Sequence, residues 1–194
     1  MSLGYWETLA SISASGTALT AAARASLLQG AGGKQGLYTL PANKLRVGDV
    51  LHLRAQGHIS CVITTPGTAR FDLSAGVAGT AFMDTLAILL NIVAKTSVPW
   101  VLDMEGTVRA VGNAGNMFWQ GFWLSEASIN TAVQITGPGP GGAALPWNTA
   151  PPVVGSNIDM TVANILDFNF TQTAATGSIT LNTYCLSLKT STGF

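Results

Sequence analysis

The sequence predicts an all-β fold, an antiparallel β-sandwich or jelly roll of about eight strands, and three observations lead to this prediction. Two long segments alternate strictly between apolar and polar residues, which is typical of half-buried strands. Short polar or glycine-containing turns separate the alternating segments at the spacing of an all-β sandwich. The strand-helix-strand rhythm that indicates a parallel sheet is missing. We therefore predict a β domain over residues 37–194, preceded by an N-terminal extension over residues 1–36.

The predicted N-terminal extension contains the most helix-like part of the chain. The Ala-rich segment 17–33 has room for two helical turns after Thr20, and Gly30 would end them. Glycines precede Lys34 in "LQGAGGKQG", as in a phosphate-binding loop. Because Leu28 and Gln35 stand where that loop needs a glycine and a Ser or Thr, we interpret the segment as a flexible linker.

The two longest alternating segments give the clearest strand predictions. In "VLHLRAQGHISCV", residues 50–62, six apolar or small residues alternate with polar ones. In "WVLDMEGTVRA", residues 100–110, every second residue is apolar or glycine, whereas Asp103, Glu105 and Arg109 share the opposite face. Both segments therefore predict long, half-buried strands.

Shorter alternating segments predict the remaining strands. They lie at residues 70–74, 165–173 and 178–189, and in the last of these the apolar phase slips by one residue. Such a slip indicates a β-bulge or a strand that is buried on both faces. The apolar segment 83–94 also fits a helical stripe, but its neighbours are strands and Pro99 follows soon after, so we favour a buried strand.

Four aromatic residues crowd into "GNMFWQGFWLS", residues 115–125, which follows the second long strand after a short turn. We predict that the two strands form a hairpin. In a strand, Phe118 and Phe122 point to one face and Trp119 and Trp123 to the other. One pair fills the sandwich core and the other needs a neighbouring surface to cover it, and the sequence leaves open which pair has which role. A membrane-facing helix is disfavoured, because a glycine lies in its middle and no Lys or Arg forms a polar face.

The segment "TGPGPGGAALPWNTAPPVVGS", residues 136–156, is rich in proline and glycine. We expect it not to form a regular ladder, since proline lacks the backbone donor that a ladder needs. A loop of this length in a compact domain is either disordered or an arm that docks on another surface. Trp147 in its middle favours the docking arm.

The composition indicates that other protein covers much of the surface. Charged residues make up 9% of the chain and the formal net charge is zero, against roughly 25% charged residues in an ordinary soluble domain. A surface so poor in charge tends to associate. Lys and Arg are scattered and form no basic stripe, which disfavours nucleic-acid binding.

A membrane protein is the alternative explanation of this composition, and the sequence disfavours it. The most apolar run, residues 86–93, is interrupted by Asn91 and is far shorter than the roughly 20 residues of a spanning helix. No basic segment followed by an apolar run is visible at the N-terminus, so we expect no secretory signal and a soluble product of a cytoplasm. Cys61 and Cys185 are too few for a disulfide framework or a zinc site, and we expect two buried free thiols.

No motif in the sequence predicts catalysis, a cofactor or a metal site. His52 and His58 share a strand face about 20 Å apart, which is too far to bind one metal ion. Asp103 and Glu105 lie about 6.6 Å apart along their strand, a spacing compatible with a pair of glycosidase carboxylates. Because Arg109 follows on the same face, we interpret them as an exposed or interfacial charge row. We therefore predict that the protein is not an enzyme.

Two segments share motifs that are structural in nature. The first is "YTLPANKLRVGDVLHLRAQGHIS", residues 38–60, followed by "TTPGT"; the second is "VAKTSVPWVLDMEGTVRAVGNAG", residues 93–115, followed by "WQGFW". Together they resemble a widespread group of tailed-bacteriophage virion proteins. The resemblance spans residues 6–125 and returns in the closing "TYCLSLK". It departs from the family pattern over residues 70–85, where glycine-containing turns replace a simple hairpin.

The resemblance implies a β-rich, often trimeric protein that is either a capsid decoration (cement) protein or a tail or fibre component. We expect a non-enzymatic virion protein, assembled in the host bacterial cytoplasm. It forms a homotrimer and decorates the capsid through apolar and arm-mediated contacts with the major capsid protein or other virion proteins. The alternative is a receptor-binding module whose exposed aromatic residues stack on host carbohydrate. The residues expected at protein interfaces are Trp6, Asp103, Glu105, Arg109, Trp119, Trp123 and Trp147.

Overall fold

The computed structural model describes residues 6–30, 33–34, 36–61, 67–76, 79–128, 141–145 and 154–190. Within these ranges the chain forms strands and no helix, which confirms the predicted all-β class, and no helix there could span a membrane. The strands are β1 (Trp6–Ile12), β2 (Arg24–Ser26), β3 (Gln29–Gly30), β4 (Gly33–Lys34), β5 (Tyr38–Leu40), β6 (Val50–Cys61), β7 (Thr68–Ala75), β8 (Thr80–Asp84), β9 (Ile88–Leu89), β10 (Lys95–Ala110), β11 (Gly115–Ser125), β12 (Gly141–Leu145), β13 (Val154–Ile158), β14 (Asn164–Gln172) and β15 (Ser178–Lys189).

The strands form two packed antiparallel sheets, as predicted for a β-sandwich. The large sheet has the order β1, β15, β6, β10, β11 and β12, and β13 also pairs with β11. The small sheet has the order β2, β14, β7 and β8, with β5 also paired to β14 and β9 to β7. A separate hairpin joins β3 and β4. In each sheet one of the last two strands lies between earlier ones, so the connections between strands are not simple hairpins.

Aromatic side chains dominate the core between the two sheets. Phe71 of β7 lies at its centre, with its ring centroid 5.3 Å from that of Trp100 and 5.9 Å from that of Trp123, both in the large sheet. Phe71 also contacts Phe170 of β14 at 5.1 Å. These rings span the space between the sheets, so each sheet covers the apolar face of the other.

Two glycines make room for tryptophans within the large sheet. Gly57 of β6 lies opposite Trp100, and Gly106 of β10 lies opposite Trp119 of β11. A Cβ atom at Gly106 would lie 2.4 Å from the Trp119 ring, which is closer than van der Waals contact allows. Glycine at this position therefore lets the indole approach the neighbouring strand.

The predicted long strands are confirmed. β6 and β10 alternate between buried and more exposed residues, as their sequence pattern predicts. β10 and β11 form the predicted hairpin. The phase slip in the last strand corresponds to a register shift of β15 against β6 between Leu181 and Thr183. At that point an extra residue re-aims the following side chains into the core.

Two predictions of local structure are wrong. The Ala-rich segment forms β2 and β3 and has no helical turn in its described residues, because Ala25 pairs with Phe170 and Leu27 and Leu28 are buried. Tertiary pairing here outweighs the helix propensity of alanine. The segment 83–94 is also not one strand: β8 ends at Asp84 and β9 begins at Ile88, and Leu86 between them has a φ of 60°.

The predicted N-terminal extension is part of the sandwich. β1 pairs with β15 at the edge of the large sheet, and β2 pairs with β14 in the small sheet. The described residues of segment 1–36 therefore contribute to both sheets and do not lie apart from the domain.

The prediction that segment 136–156 forms no ladder is wrong for two short parts. β12 and β13 both pair with β11, the first along Gly121–Ser125 and the second along Gly115–Phe118. Neither strand contains proline, so their backbone donors are available for pairing. Trp147 and the predicted docking arm around it lie outside the described residues.

Candidate functional site

The outer surface of the large sheet, which we call the open face, carries most of the residues that the sequence singles out. Leu53, Met104 and Trp123 are buried in the core, so their neighbours along each strand face outward. Besides Trp6 of β1, the open face comprises His52, Arg54, Val101, Asp103, Glu105, Arg109, Phe118, Gln120, Phe122 and Leu124.

One hydrogen-bonded side-chain pair lies near the middle of the open face. The Nε2 atom of His52 is 2.8 Å from the Oδ1 atom of Asp103 on the next strand. The Trp6 ring packs edge-on against the imidazole with 5.7 Å between centroids, and the Lys189 ammonium lies 5.7 Å from the Trp6 ring centroid. The N-terminal strand thus contacts the centre of the face through an aromatic side chain.

Two further charges on the open face have no partner of opposite charge. Arg54 lies directly opposite Asp103 and Glu105 directly opposite His52 in the register of β6 and β10. Within the described part of the chain, neither Arg54 nor Glu105 forms an ion pair. Both side chains are exposed and solvated, so they carry no penalty until a partner removes water from them.

Large apolar side chains flank these charges. Phe122 is 43% exposed, Leu124 40% and Trp6 44%, although each belongs to a regular strand. Farther along β11, the Arg109 guanidinium lies 4.8 Å above the centroid of the Phe118 ring. The open face therefore combines exposed apolar surface with charges of both signs.

A shallow, open groove of about 440 Å³ runs across this face. Two carboxylates from β10, an amide from β11 and an exposed aromatic ring line it. The lining residues are Asp103, Glu105, Gln120, Gly121, Phe122 and Leu145.

The outer surface of the small sheet, which we call the closed face, carries a cluster of polar side chains that are hydrogen-bonded to one another. Arg24 donates to both carboxylate oxygens of Asp72, at 2.9 and 2.5 Å. The Asn169 amide donates to Asp72 at 3.1 Å and to the Ser74 hydroxyl at 3.0 Å. Asp72, Ser74 and Asn169 are at most 3% exposed. Their polar groups bond one another, so these three side chains have little capacity to bind a partner.

The arginines of the closed face are held as permanent cations. The hydrogen bond to Asp72 raises the pKa of Arg24 above its ordinary value despite the opposing effect of burial. The side-chain hydrogen bond to Asp84 likewise raises the pKa of Arg70. Because both pKa values are raised, the stabilisation from these pairs is present below the ordinary arginine pKa and disappears only in strong alkali.

Three loops at one end of the sandwich each expose a valine, and we call this region the valine end. Val47 is 58% exposed, Val111 46% and Val162 50%. Main-chain hydrogen bonds connect the loops, from Met160 N to Gly112 O at 2.9 Å and from Asn43 N to Met160 O at 2.8 Å. The valines therefore lie on a braced surface.

The predicted interface role of Trp119 and Trp123 needs correction. Their side chains are 3% and 0% exposed, because the small sheet of the same chain covers them. A partner cannot contact these indoles without opening the sandwich. The four other predicted residues in the described ranges, Trp6, Asp103, Glu105 and Arg109, all lie on the open face.

Sequence reasoning missed Phe122 and Leu124 as surface residues, although a signal for them was present. A four-residue turn at 111–114 pairs the end of β10 with the start of β11, so that Trp119 faces Gly106. The charged side chains of β10 point to solvent, so the residues of β11 paired with them must do the same. Pairing residues outward from that turn therefore places Phe118 and Phe122 on the solvent side of the sheet.

The described residues offer little for covalent or metal chemistry. Both cysteines are free thiols; Cys61 is buried, as expected, but Cys185 is only partly buried. Desolvation raises the pKa of the Cys61 thiol, which lowers its reactivity. In the part of the chain that the structure describes, no group of three or more His, Cys, Asp or Glu side chains is placed to hold a metal ion.

Comparison with known proteins adds no family. No family model matches the chain, and no curated protein matches it significantly.

Proposed function

We propose that the chain is a non-enzymatic structural protein of a tailed-bacteriophage virion. It forms a homo-oligomer, expected to be a trimer, and decorates the capsid through protein contacts. The observation that supports this proposal best is the open face, where Trp6, Phe122 and Leu124 are exposed on regular strands. Exposed aromatic and aliphatic side chains on a rigid sheet are typical of protein interfaces.

The energetics favour a repeated contact. Covering a large apolar side chain completely contributes about 1.5–3 kcal/mol, so three that are already more than half covered add roughly 3 kcal/mol in total. Association costs at least about 4 kcal/mol. These three side chains alone therefore do not hold two copies together. A closed ring, in which each subunit makes two contacts, offsets this cost by repetition.

The valine end supplies a second apolar surface, which we assign to the contact with other virion proteins. Its three valines come from separate loops, and strand pairing does not involve their side chains. Self-association through the open face leaves this end available. A subunit that presents it once makes a weak contact, whereas an oligomer presents it several times.

Light scattering on the purified chain tests self-association. The wild type is expected at about three chain masses, and Phe122→Asp with Leu124→Asp is expected at one. Val111→Asp, a matched change at the valine end, should leave the oligomer intact. A wild type that remains a folded monomer at high concentration contradicts the proposed oligomer.

Purified virions test the assignment to the particle. Mass spectrometry and antibody labelling of particles from the phage that encodes the chain should detect it on the capsid. Val47→Asp, Val111→Asp and Val162→Asp together should remove it from particles without dissociating the oligomer. Particles that contain no copy of the chain contradict this proposal.

The groove favours one alternative, a fibre component that binds host carbohydrate. Carboxylates and an amide beside an exposed ring suit the hydroxyls and the apolar face of a sugar. The relevant ring belongs to Phe122, since the two tryptophans that the sequence suggested for stacking are buried.

Glycan-array binding separates this alternative from self-association. If the groove binds sugar, Gln120→Ala and Phe122→Ala each reduce binding at least about tenfold, whereas Gln56→Ala on the neighbouring strand does not. Absence of binding to any glycan by wild-type protein that forms an oligomer would exclude this alternative.

A further inference from the structure

We infer that the open face binds the open face of a second copy, and that Arg54 of each copy pairs with Glu105 of the other. The inference rests on the proposed self-association and names the charges that direct it. It starts from an imbalance within one sheet. Around the centre of the face, His52 and Asp103 are hydrogen-bonded at 2.8 Å, whereas Arg54 and Glu105 form no ion pair with any residue that the structure describes.

The two unpaired charges restrict what can cover this face. A surface that removes water from Arg54 must supply an anion, and one that removes water from Glu105 must supply a cation, because an unpaired buried charge is strongly unfavourable. A purely apolar partner satisfies neither. A basic partner, such as one that binds nucleic acid, and an acidic partner each satisfy one charge and repel the other.

A second copy of the chain supplies both charges at once. Arg54 and Glu105 lie on adjacent strands, and their nearest cross-strand partners, Asp103 and His52, already bond each other. If two faces meet about a twofold axis, Arg54 meets Glu105 of the partner subunit twice. In a cyclic ring, Arg54 of each subunit meets Glu105 of the next. The zero formal net charge of the chain adds no overall repulsion.

The exposed apolar residues provide the area that this pairing needs. Phe122 lies opposite Asp103, and Leu124 lies opposite Val101, so the apolar side chains border the charges on the side of β11. Exclusion of water by such a border strengthens the charge pairs. The pairs set the register of the contact and the apolar residues supply its area.

Charge exchange tests the pairing. Arg54→Glu and Glu105→Arg, each made alone, place like charges together and should raise the dissociation constant of the oligomer about 100-fold or more. The double variant carrying both changes restores opposite charges and should return it to within about tenfold of the wild type. Arg46→Glu, an equal change of charge in an exposed turn, should have no such effect. Circular dichroism and thermal unfolding confirm that each variant folds.

Mixing the two single variants shows that the pairing is between chains. Chains with Arg54→Glu carry two acidic groups at the contact and chains with Glu105→Arg carry two basic groups, so they should associate with each other although neither associates alone. Analytical ultracentrifugation measures this. In a dimer or another even ring every contact is restored, whereas in a trimer one contact of three stays repulsive.

The outcomes distinguish this inference from the proposed function. A wild-type oligomer that both single changes leave intact overturns the inference, and the proposed oligomer then persists through other contacts. Single variants that dissociate, while the double variant and the mixture stay dissociated, also overturn it. A wild type that is monomeric overturns the proposed oligomer itself. Recovery by the double variant or by mixing supports the inference.

Discussion

The open face and the closed face use the same kinds of side chain in opposite ways. On the closed face, Arg24 and Asn169 both donate hydrogen bonds to Asp72. The Asp72 and Asn169 side chains are almost fully buried. On the open face, Arg54 and Glu105 form no ion pair among the described residues, and Glu105 lines the same groove as exposed Phe122. Polar groups that satisfy one another inside the chain stabilise the fold. Those left unsatisfied on a rigid sheet are available to another molecule.

The pairing of charged side chains distinguishes residues that stabilise the fold from residues that can bind a partner, and the amino-acid composition alone does not. The sequence contains few charges, and most of those on the closed face form pairs within the small sheet. Changes on the closed face and in the core are expected to alter folding, whereas equivalent changes on the open face should alter it little.

The largest effect is expected where β11 faces the core. Trp123→Ala removes an indole that contacts Phe71 and should lower the free energy of unfolding by about 4 kcal/mol. Phe122→Ala, one residue away on the open face, should lower it by less than about 1 kcal/mol. Urea denaturation at fixed protein concentration measures both. Equal losses for the two variants would show that the alternation of β11 does not separate core from surface.

The next effect compares two aspartates. Asp72→Ala removes the carboxylate that pairs with Arg24 and accepts from Asn169 and should cost about 3 kcal/mol of stability. Asp103→Ala removes one partly exposed pair with His52 and should cost less than about 1 kcal/mol. Thermal unfolding measures the two differences. A larger loss for Asp103 would contradict the assignment of the closed face to stability.

A smaller effect is expected at two buried hydroxyl groups, those of Tyr184 and Ser26. The Tyr184 hydroxyl is buried and has no partner among the described residues, and burial raises its pKa far above the usual value. Tyr184→Phe should therefore leave stability unchanged or raise it by up to about 1 kcal/mol. Ser26→Ala removes a hydroxyl that donates to Asp167 at 2.5 Å and should lower stability by about 1 kcal/mol. Denaturation curves that show a larger loss for Tyr184→Phe would indicate that its hydroxyl is bonded.

The smallest effect lies at the valine end. Thr161 donates its backbone N–H and its hydroxyl to Asp159, at 2.9 and 2.5 Å, and these bonds lower the pKa of that carboxyl. The bonds therefore stabilise the loop above the ordinary aspartate pKa and are lost as pH falls through the lowered value. Thr161→Val should raise the pKa of Asp159 toward its ordinary range in an NMR titration, whereas Thr8→Val should not. An unchanged pKa would show that the hydroxyl does not brace this loop.

The sequence predicts strands β6, β10, β11 and β15 of the large sheet well because they carry their own pattern, whereas it does not predict β1, β12 and β13. The alternation in β6 and β10 identifies each strand, the turn before β11 sets the hairpin, and the phase slip in β15 marks its register shift. All of this information is local. The aromatic pairs need more than local information. Alternation places Phe122 and Trp123 on opposite faces of β11, but it does not say which face is the core because both residues are apolar. Only the register of β11 against β10 assigns Trp123 to the core.

The small sheet and the site depend on contacts between distant residues. Arg24 and Asp72 are 48 positions apart, and Asp72 and Asn169 are 97 positions apart, so no spacing rule brings them together. Alanine propensity predicted helix where β2 pairs with β14, because the partner strand lies far along the chain. The unpaired state of Arg54 and Glu105 is equally invisible in sequence, since it depends on His52 bonding to Asp103 and not to Glu105.

The pairing of β11 with two separate short strands has a consequence for growth of the sheet. β12 covers one half of that strand and β13 the other, and prolines lie in the sequence between them. An additional strand from another molecule would need a long, continuous row of free backbone groups to pair with. This margin of the sheet presents two short pieces instead, so open-ended stacking edge to edge into fibrils is disfavoured there. Association of this chain through its faces, as proposed above, can then stop at a closed assembly.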